Sequence, residues 1–191
     1  MGLGKGFGLG LVIYMILNLV MNLLIAVLSG TDIGTWFGGI SSDPYLWLSN
    51  LFYVNVGIGL TDAATTLLGG ITSGLTAITS NNIAFGIIVI IAVILPGLLT
   101  AIIAGKLAKG VGKGFASWVL IVAISYVAIF VLFILDLKIG TGGSVFALNV
   151  FPTLAPYFVL FDELSIIIIV VIGVITSLMW GCVAALAGRQ D

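Results

Sequence analysis

The chain has 191 residues, of which 61% are hydrophobic and only 7% are charged. Its mean hydropathy is +1.37. A soluble domain usually has about 25% charged residues, so six basic and seven acidic side chains cannot solvate the exterior of a chain this long. This composition excludes a soluble globular protein and predicts a membrane protein. The net charge of −1 also excludes a basic nucleic-acid-binding surface, and we expect no nucleic-acid partner.

Metal and redox cofactors need ligands that this sequence lacks. There is no histidine and a single cysteine, Cys182. A protein-only zinc site, histidine-ligated haem, an iron–sulfur cluster and a disulfide are therefore excluded, and we expect no cofactor. Cys182 lies in an apolar stretch, where a small packing residue is favoured over a reactive thiol.

Four apolar stretches are long enough to cross a bilayer as helices. We predict spans over residues 7–29, 83–104, 115–135 and 164–187. The first apolar run exceeds the 7–15 residues typical of a signal peptide, so we expect it to be a retained span. Pro96 predicts a kink in the second span. The predicted fold is an all-α integral membrane protein, a four-helix bundle forming one membrane domain over residues 1–191.

The basic residues fix the predicted orientation. Those that flank the spans on one side are Lys5, Lys106, Lys109, Lys113 and Arg189, and Lys138 alone falls on the other side. Because cytoplasmic loops carry an excess of Lys and Arg, loop 105–114 and both termini are predicted to be cytoplasmic, in the cell membrane. Lys106, Lys109 and Lys113 are expected to face anionic lipid headgroups, at about 1 kcal/mol each.

The outer connections, residues 30–82 and 136–163, are not ordinary polar loops. Residues 45–60 are apolar and aromatic, and residues 63–78 are rich in Gly, Thr and Ser. We interpret the first connection as interfacial or re-entrant helix at the outer ends of the bundle. The competing interpretation makes residues 45–78 two further spans, six in total. The glycines of this region, with Asp62 between the two candidates, weaken that alternative.

Two sequence echoes hint at an internal duplication. Residues 101–106 read Ala-Ile-Ile-Ala-Gly-Lys, and residues 184–189 read Ala-Ala-Leu-Ala-Gly-Arg. Pro44-Tyr45 and Pro156-Tyr157 each precede a leucine at the same spacing. These pairs would make two parallel helix–loop–helix repeats, as in some transporters. The alternative is coincidence, since small residues before a basic residue are common at the ends of membrane helices.

Small residues recur every four positions in two of the predicted spans. They are Gly97, Ala101 and Gly105 in the second span, and Gly173, Ser177, Gly181 and Ala185 in the fourth. Such rows share one helix face and let two backbones approach closely, which is how helices associate in lipid. We predict helix-packing faces here, with a partner helix in this chain or in another.

The first span carries two asparagines one turn apart, Asn18 and Asn22, at membrane depth. Hydrocarbon offers no hydrogen-bond partner, so each needs one from protein or water. We favour an interhelical clamp over a polar strip that lines a water-filled path. The available partners in other spans are Ser125, Tyr126, Thr176 and Ser177.

These features rank three functional hypotheses. The first is a non-catalytic subunit of a larger membrane complex, whose partners are membrane lipids and other membrane proteins or copies of itself. The second is a small transporter or channel with Gly-rich re-entrant outer segments. An enzyme ranks last and is not expected, because its four outer acids, Asp62, Asp136, Asp162 and Glu163, would have to meet at one metal site. The predicted spans hold no ionisable side chain of the kind that marks proton or ion coupling.

Overall fold

The computed structural model describes residues 2–54, 65–139, 175 and 177–189. In this part of the chain every regular element is a helix, which confirms the all-α prediction for these residues. The helices are α1 (Gly2–Leu28), α2 (Ile33–Ser42), α3 (Pro44–Ser49), α4 (Thr65–Thr79), α5 (Ile83–Ala108), α6 (Val111–Ile139) and α7 (Ser177–Ala187).

Three of these helices are long and apolar enough to cross a membrane: α1, α5 and the first 26 residues of α6. A helix of 26 residues is about 39 Å long, which exceeds the roughly 30 Å hydrocarbon core of a bilayer. The chain is therefore a multi-pass membrane protein. The predicted fourth span, 164–187, lies mostly outside the described residues, and α7 covers only its end.

The connection between α5 and α6 is much tighter than the predicted loop 105–114. Helix α5 continues through Lys106 to Ala108 and α6 begins at Val111, so only two residues are non-helical. These are Lys109, with φ 52°, and Gly110, with φ 145°. A left-handed residue followed by glycine is a common way to end a helix and reverse the chain. Lys106 does not end α5, because lysine is itself a good helix former.

Helices α2 and α3 each have an aspartate as the N-cap residue just before their first turn. The Asp32 carboxylate accepts a hydrogen bond from the Thr35 amide at 2.8 Å and another from the Thr35 hydroxyl. Asp43 accepts from the Leu46 amide at 3.0 Å, and Pro44 occupies the first turn of α3. An acceptor side chain before the first turn satisfies otherwise free helical amides, and proline fits there because it has no amide to satisfy.

Contacts between small residues give the helix directions. A methyl group on Gly6 of α1 would lie 2.6 Å from the Ala104 carbonyl oxygen of α5 and 2.8 Å from the Ser117 hydroxyl of α6. Farther along α1, Met21 and Ile25 pack with Ala92, nearer the start of α5. Helix α1 is therefore antiparallel to α5 and parallel to α6.

Helix α7 packs on α5 and α6 with its carboxyl end toward the α5–α6 link. A methyl group on Gly188, just after α7, would lie 2.8 Å from the Gly110 carbonyl oxygen. The start of α1, the α5–α6 link and the end of α7 thus meet at one end of the bundle. We call this the basic end, because its exposed cations are Lys5, Lys106, Lys109, Lys113 and Arg189.

Candidate functional site

Residues 43–54, which comprise α3 and the turn after it, form what we call the α3 segment. Its last residue, Val54, is buried with Met21 and Ile25 of α1 and Ala92 of α5. Ala92 lies nine residues inside α5, about 13 Å from the start of that helix. At the end of the bundle opposite the basic end, which we call the outer end, the chain therefore turns back between α1 and α5.

The two asparagines of α1 hold this segment by its backbone. The Asn22 side-chain amide donates to the Tyr53 carbonyl at 2.8 Å and to the Asn50 carbonyl at 3.0 Å. The Asn18 amide donates to the Leu51 carbonyl at 3.2 Å. Both asparagine side chains are almost fully buried. Since Asn18 lies ten residues before the end of α1, its bond is about 15 Å from that end of the helix.

These bonds give the asparagines a partner that the sequence did not reveal. The predicted candidates were hydroxyls of other spans, but Ser125 donates to the Ile121 carbonyl of its own helix at 2.8 Å. The asparagines instead pair with carbonyls of an irregular turn. A turn cannot satisfy its own carbonyls as a helix does, and at this depth water does not substitute. No sequence pattern near residue 50 indicates those free carbonyls.

A second close contact, between α4 and α5, was also missed. A methyl group on Gly74 would lie 2.7 Å from the Gly86 carbonyl oxygen, and one on Gly70 would press against the Val93 side chain. The spacing Gly70-x-x-x-Gly74 is the small-residue pattern that brings helices together in lipid, so it could have predicted this packing. Helix α4 has 15 residues, about 22 Å, which is short of the hydrocarbon thickness.

The predicted packing residues of the second span lie against α6 and α7. Ala101 is fully buried and packs with Trp118 and Ala184. A methyl group on Gly97 would lie 2.8 Å from the Trp180 indole nitrogen, and Gly105 lies directly against the Ala184 carbonyl. The partner helix of this row is therefore within the same chain.

The residues of α7 that contact the other helices differ in part from the predicted packing row of the fourth span. A methyl group on Gly181 would lie 2.7 Å from the Phe115 ring, and the Ser177 carbonyl accepts from the Trp118 indole at 2.9 Å. The next contact is Ala184, whereas Ala185 is only half-buried. Four-residue steps drift 40° each around an α-helix, so the seven-residue step from Ser177 keeps the face. Gly173 lies outside the described residues.

The remaining predicted side chains lie on the surface or outside the described part. Lys106, Lys109 and Lys113 are all exposed at the basic end, and Cys182 is exposed on α7. Asp136 is buried near the end of α6, while Asp62, Asp162 and Glu163 fall outside the described residues. Among the described residues no group of three metal-ligating side chains is found.

One further sequence feature becomes visible once the helices are placed. Residues 2–7 read Gly-Leu-Gly-Lys-Gly-Phe, and residues 110–115 read Gly-Val-Gly-Lys-Gly-Phe. The two hexapeptides share five of six residues and open α1 and α6, which run parallel. Residues 101–106 and 184–189, on which the predicted duplication rests, match each other less closely than these two hexapeptides do.

The two hexapeptides make equivalent contacts. Gly6 packs on the Ala104 carbonyl of α5, and Gly114 packs on the Ala184 carbonyl of α7. One turn earlier, Gly2 packs on Ala108. Gly110 lies against Gly188, four residues beyond Ala184. The antiparallel pairs α1–α5 and α6–α7 therefore share one register at the basic end.

Comparison of the chain with protein-family models, with curated proteins and with solved structures finds no match.

Proposed function

We propose that this protein is a non-catalytic integral membrane subunit that assembles with other membrane proteins or with copies of itself. The observation that carries this proposal is the use of the polar groups within its spans. Asn18, Asn22 and Trp118 all donate to backbone carbonyls of the same chain. Polar side chains used in this way hold the fold together and do not contact a substrate.

The proposed topology has four spans, with the basic end and both termini in the cytoplasm of the cell. The α1 start, the α5–α6 link and the α7 end lie at the same end of the bundle. This supports the proposed topology, because four spans require all three to lie on the same side of the membrane. The exposed basic residues at that end favour the cytoplasmic side.

The surface of α1 supports assembly with another helix. Its inner glycines pack against α5, but a methyl group on Gly4 or Gly8 would meet no described atom within 4 Å. The neighbouring large side chains Leu9 and Val12 are about half exposed, at 51% and 52%. Two open glycines four residues apart leave room for the backbone of a second helix to approach closely, and such close packing drives helix association in lipid.

Purification in mild detergent tests this proposal. We expect an assembly well above the 19.8 kDa of one chain, and we expect Gly4→Leu/Gly8→Leu to convert it to the monomer without unfolding it. Leu24→Ala, at an exposed position on the opposite face of α1, is the matched control and should leave the assembly intact. A wild-type protein that is strictly monomeric and well folded would contradict the proposal.

The second candidate function is a small transporter or channel component. The α3 segment favours it, because irregular backbone at membrane depth is characteristic of substrate paths, although it is also tolerated when buried in protein. The paired helix repeats add support, since parallel repeats occur in transporters. Flux through reconstituted vesicles that is lost in Asn18→Leu/Asn22→Leu, with the fold retained, would favour this function over the first.

A further inference from the structure

The basic end concentrates nearly all the positive charge of the described chain. Lys5, Lys106, Lys109, Lys113 and Arg189 are all exposed there. The described acids lie elsewhere. Asp32 and Asp43 cap the helices of the outer end, and Asp136 is near the opposite end of α6 from the link. This surface therefore has a single sign of charge among the described residues.

Within this surface, Lys5 and Lys113 occupy equivalent positions. Each is the lysine of a Gly-x-Gly-Lys-Gly-Phe hexapeptide, and the glycine after each lysine is fixed by packing on a carbonyl of the paired helix. The register of the two helix pairs is the same, so the two lysines hold the same position relative to their paired helices. Two copies of one basic hexapeptide therefore lie at the same end of the bundle.

The glycine before each lysine has no packing role in the described structure. A methyl group on Gly4 or Gly112 would meet no described atom within 4 Å. The hexapeptides nevertheless agree at this position, whereas at the second position they differ, with Leu3 in one and Val111 in the other. A bare backbone beside an exposed lysine leaves room for a bulky group at that cation.

The position of these lysines along their helices indicates which chemical group would lie beside them. Helix α1 is about 40 Å long, close to the 40–45 Å thickness of a bilayer with its headgroup regions. Lys5 lies in its first turns, and Lys113 lies in the first turn of α6. Both ammonium groups therefore fall at the level of lipid phosphates, and anionic headgroups are attracted to such lysines.

We propose that Lys5 and Lys113 form two equivalent binding positions for anionic phospholipid headgroups, one for each hexapeptide, with Lys106, Lys109 and Arg189 adding to the attraction. This inference does not depend on which side of the membrane the basic end faces, although Gly4 is also part of the helix contact proposed above. It needs only the fold of the described helices and the charge of their basic end.

Native mass spectrometry of the full chain from detergent, titrated with phosphatidylglycerol or phosphatidylcholine, tests the proposal. Wild-type protein should retain two phosphatidylglycerol molecules and bind phosphatidylcholine more weakly. Lys5→Gln and Lys113→Gln should each lower the phosphatidylglycerol affinity of one of the two positions about fivefold. Lys138→Gln, at the opposite end of α6, is the control and should retain both.

Three outcomes would overturn the proposal. They are equal binding of the two lipids, an unchanged phosphatidylglycerol affinity in the Lys5→Gln/Lys113→Gln double variant, and equally strong binding of inorganic phosphate, which would indicate a site for a soluble anion. If the double variant does not fold, the salt dependence of the wild-type protein decides. Its preference for phosphatidylglycerol must fall as ionic strength rises, because exposed charges are screened, and a salt-independent preference would reject the lysines as its cause.

Discussion

At the scale of single residues, Asn22 does the most to fix the shape of the outer half of the bundle. Its amide donates to two carbonyls of one turn, those of Asn50 and Tyr53. A buried carbonyl without a donor costs about 1–3 kcal/mol. The turn that follows α3 is therefore stable at this depth because one side chain of α1 replaces the helical donors it lacks.

We expect Asn22→Leu to lower the free energy of unfolding by about 1–3 kcal/mol, because two buried carbonyls lose their donor. Thermal unfolding in detergent measures the loss. Asn82→Leu is the matched control, since Asn82 is exposed and its side chain makes no capping hydrogen bond. Equal effects of the two substitutions would show that the Asn22 bonds contribute nothing specific.

Asp32 gives a pH-dependent prediction outside the membrane. The hydrogen bond from the Thr35 hydroxyl, then that from the Thr35 amide, lowers the pKa of the Asp32 carboxyl below its usual 3.8. A lowered pKa means that the carboxylate stabilises the start of α2 above pH 3.8, and that this contribution is lost as pH falls through the lowered value. Carboxyl titration by NMR should show Thr35→Ala moving the Asp32 pKa back up. An unchanged pKa in that variant would contradict the assignment.

At the scale of helices, α4 packs closely on α5 because the residues of α4 at the contact are glycines, which have no side chain. The contact of Gly74 with the Gly86 carbonyl leaves no space for a methyl group, and Ile90 closes the other side at 2.5 Å. In lipid there is no hydrophobic gain from pressing two apolar helices together, so close packing of this kind decides whether they associate.

We expect Gly74→Ala to destabilise the protein by about 1–3 kcal/mol through overpacking. Gly38→Ala on α2 makes the matching control within a helix, because no described atom lies within 4 Å of the added methyl group. That substitution should be neutral or slightly stabilising, since alanine favours helix over glycine. Thermal unfolding of both variants would contradict the packing argument if Gly74→Ala were the more stable.

The helices that cross the membrane could be predicted from sequence, while the outer elements could not. Uncharged runs of sufficient length identify α1, α5 and α6, because hydrocarbon penalises charge and exposed backbone alike. The link at Lys109 and Gly110 was predicted too long, since three lysines look like a loop although each is compatible with a helix. The depth of residues 43–54 was left open, because it depends on hydrogen bonds from Asn18 and Asn22 to residues about thirty positions away.

At the scale of the whole molecule, two helix pairs of the same register stand side by side, and their basic residues share one end. Pair α1–α5 begins with one hexapeptide, residues 2–7, and pair α6–α7 begins with the other, residues 110–115. The outer connection of the first pair contains α2, α3 and α4. The shared hexapeptide and register account for the common end, whereas the long outer connection is what distinguishes the halves.

This arrangement predicts the result of cysteine labelling in intact cells. In a Cys182→Ala background, Lys109→Cys should react only after the inner face of the membrane is opened to a charged maleimide. Ser41→Cys on α2 is exposed and should react from outside, because α2 lies at the end of α1 opposite the basic end. The reverse pattern would invert the proposed orientation while leaving the bundle itself intact. Labelling of both positions from one side would instead contradict the separation of the two ends by spanning helices.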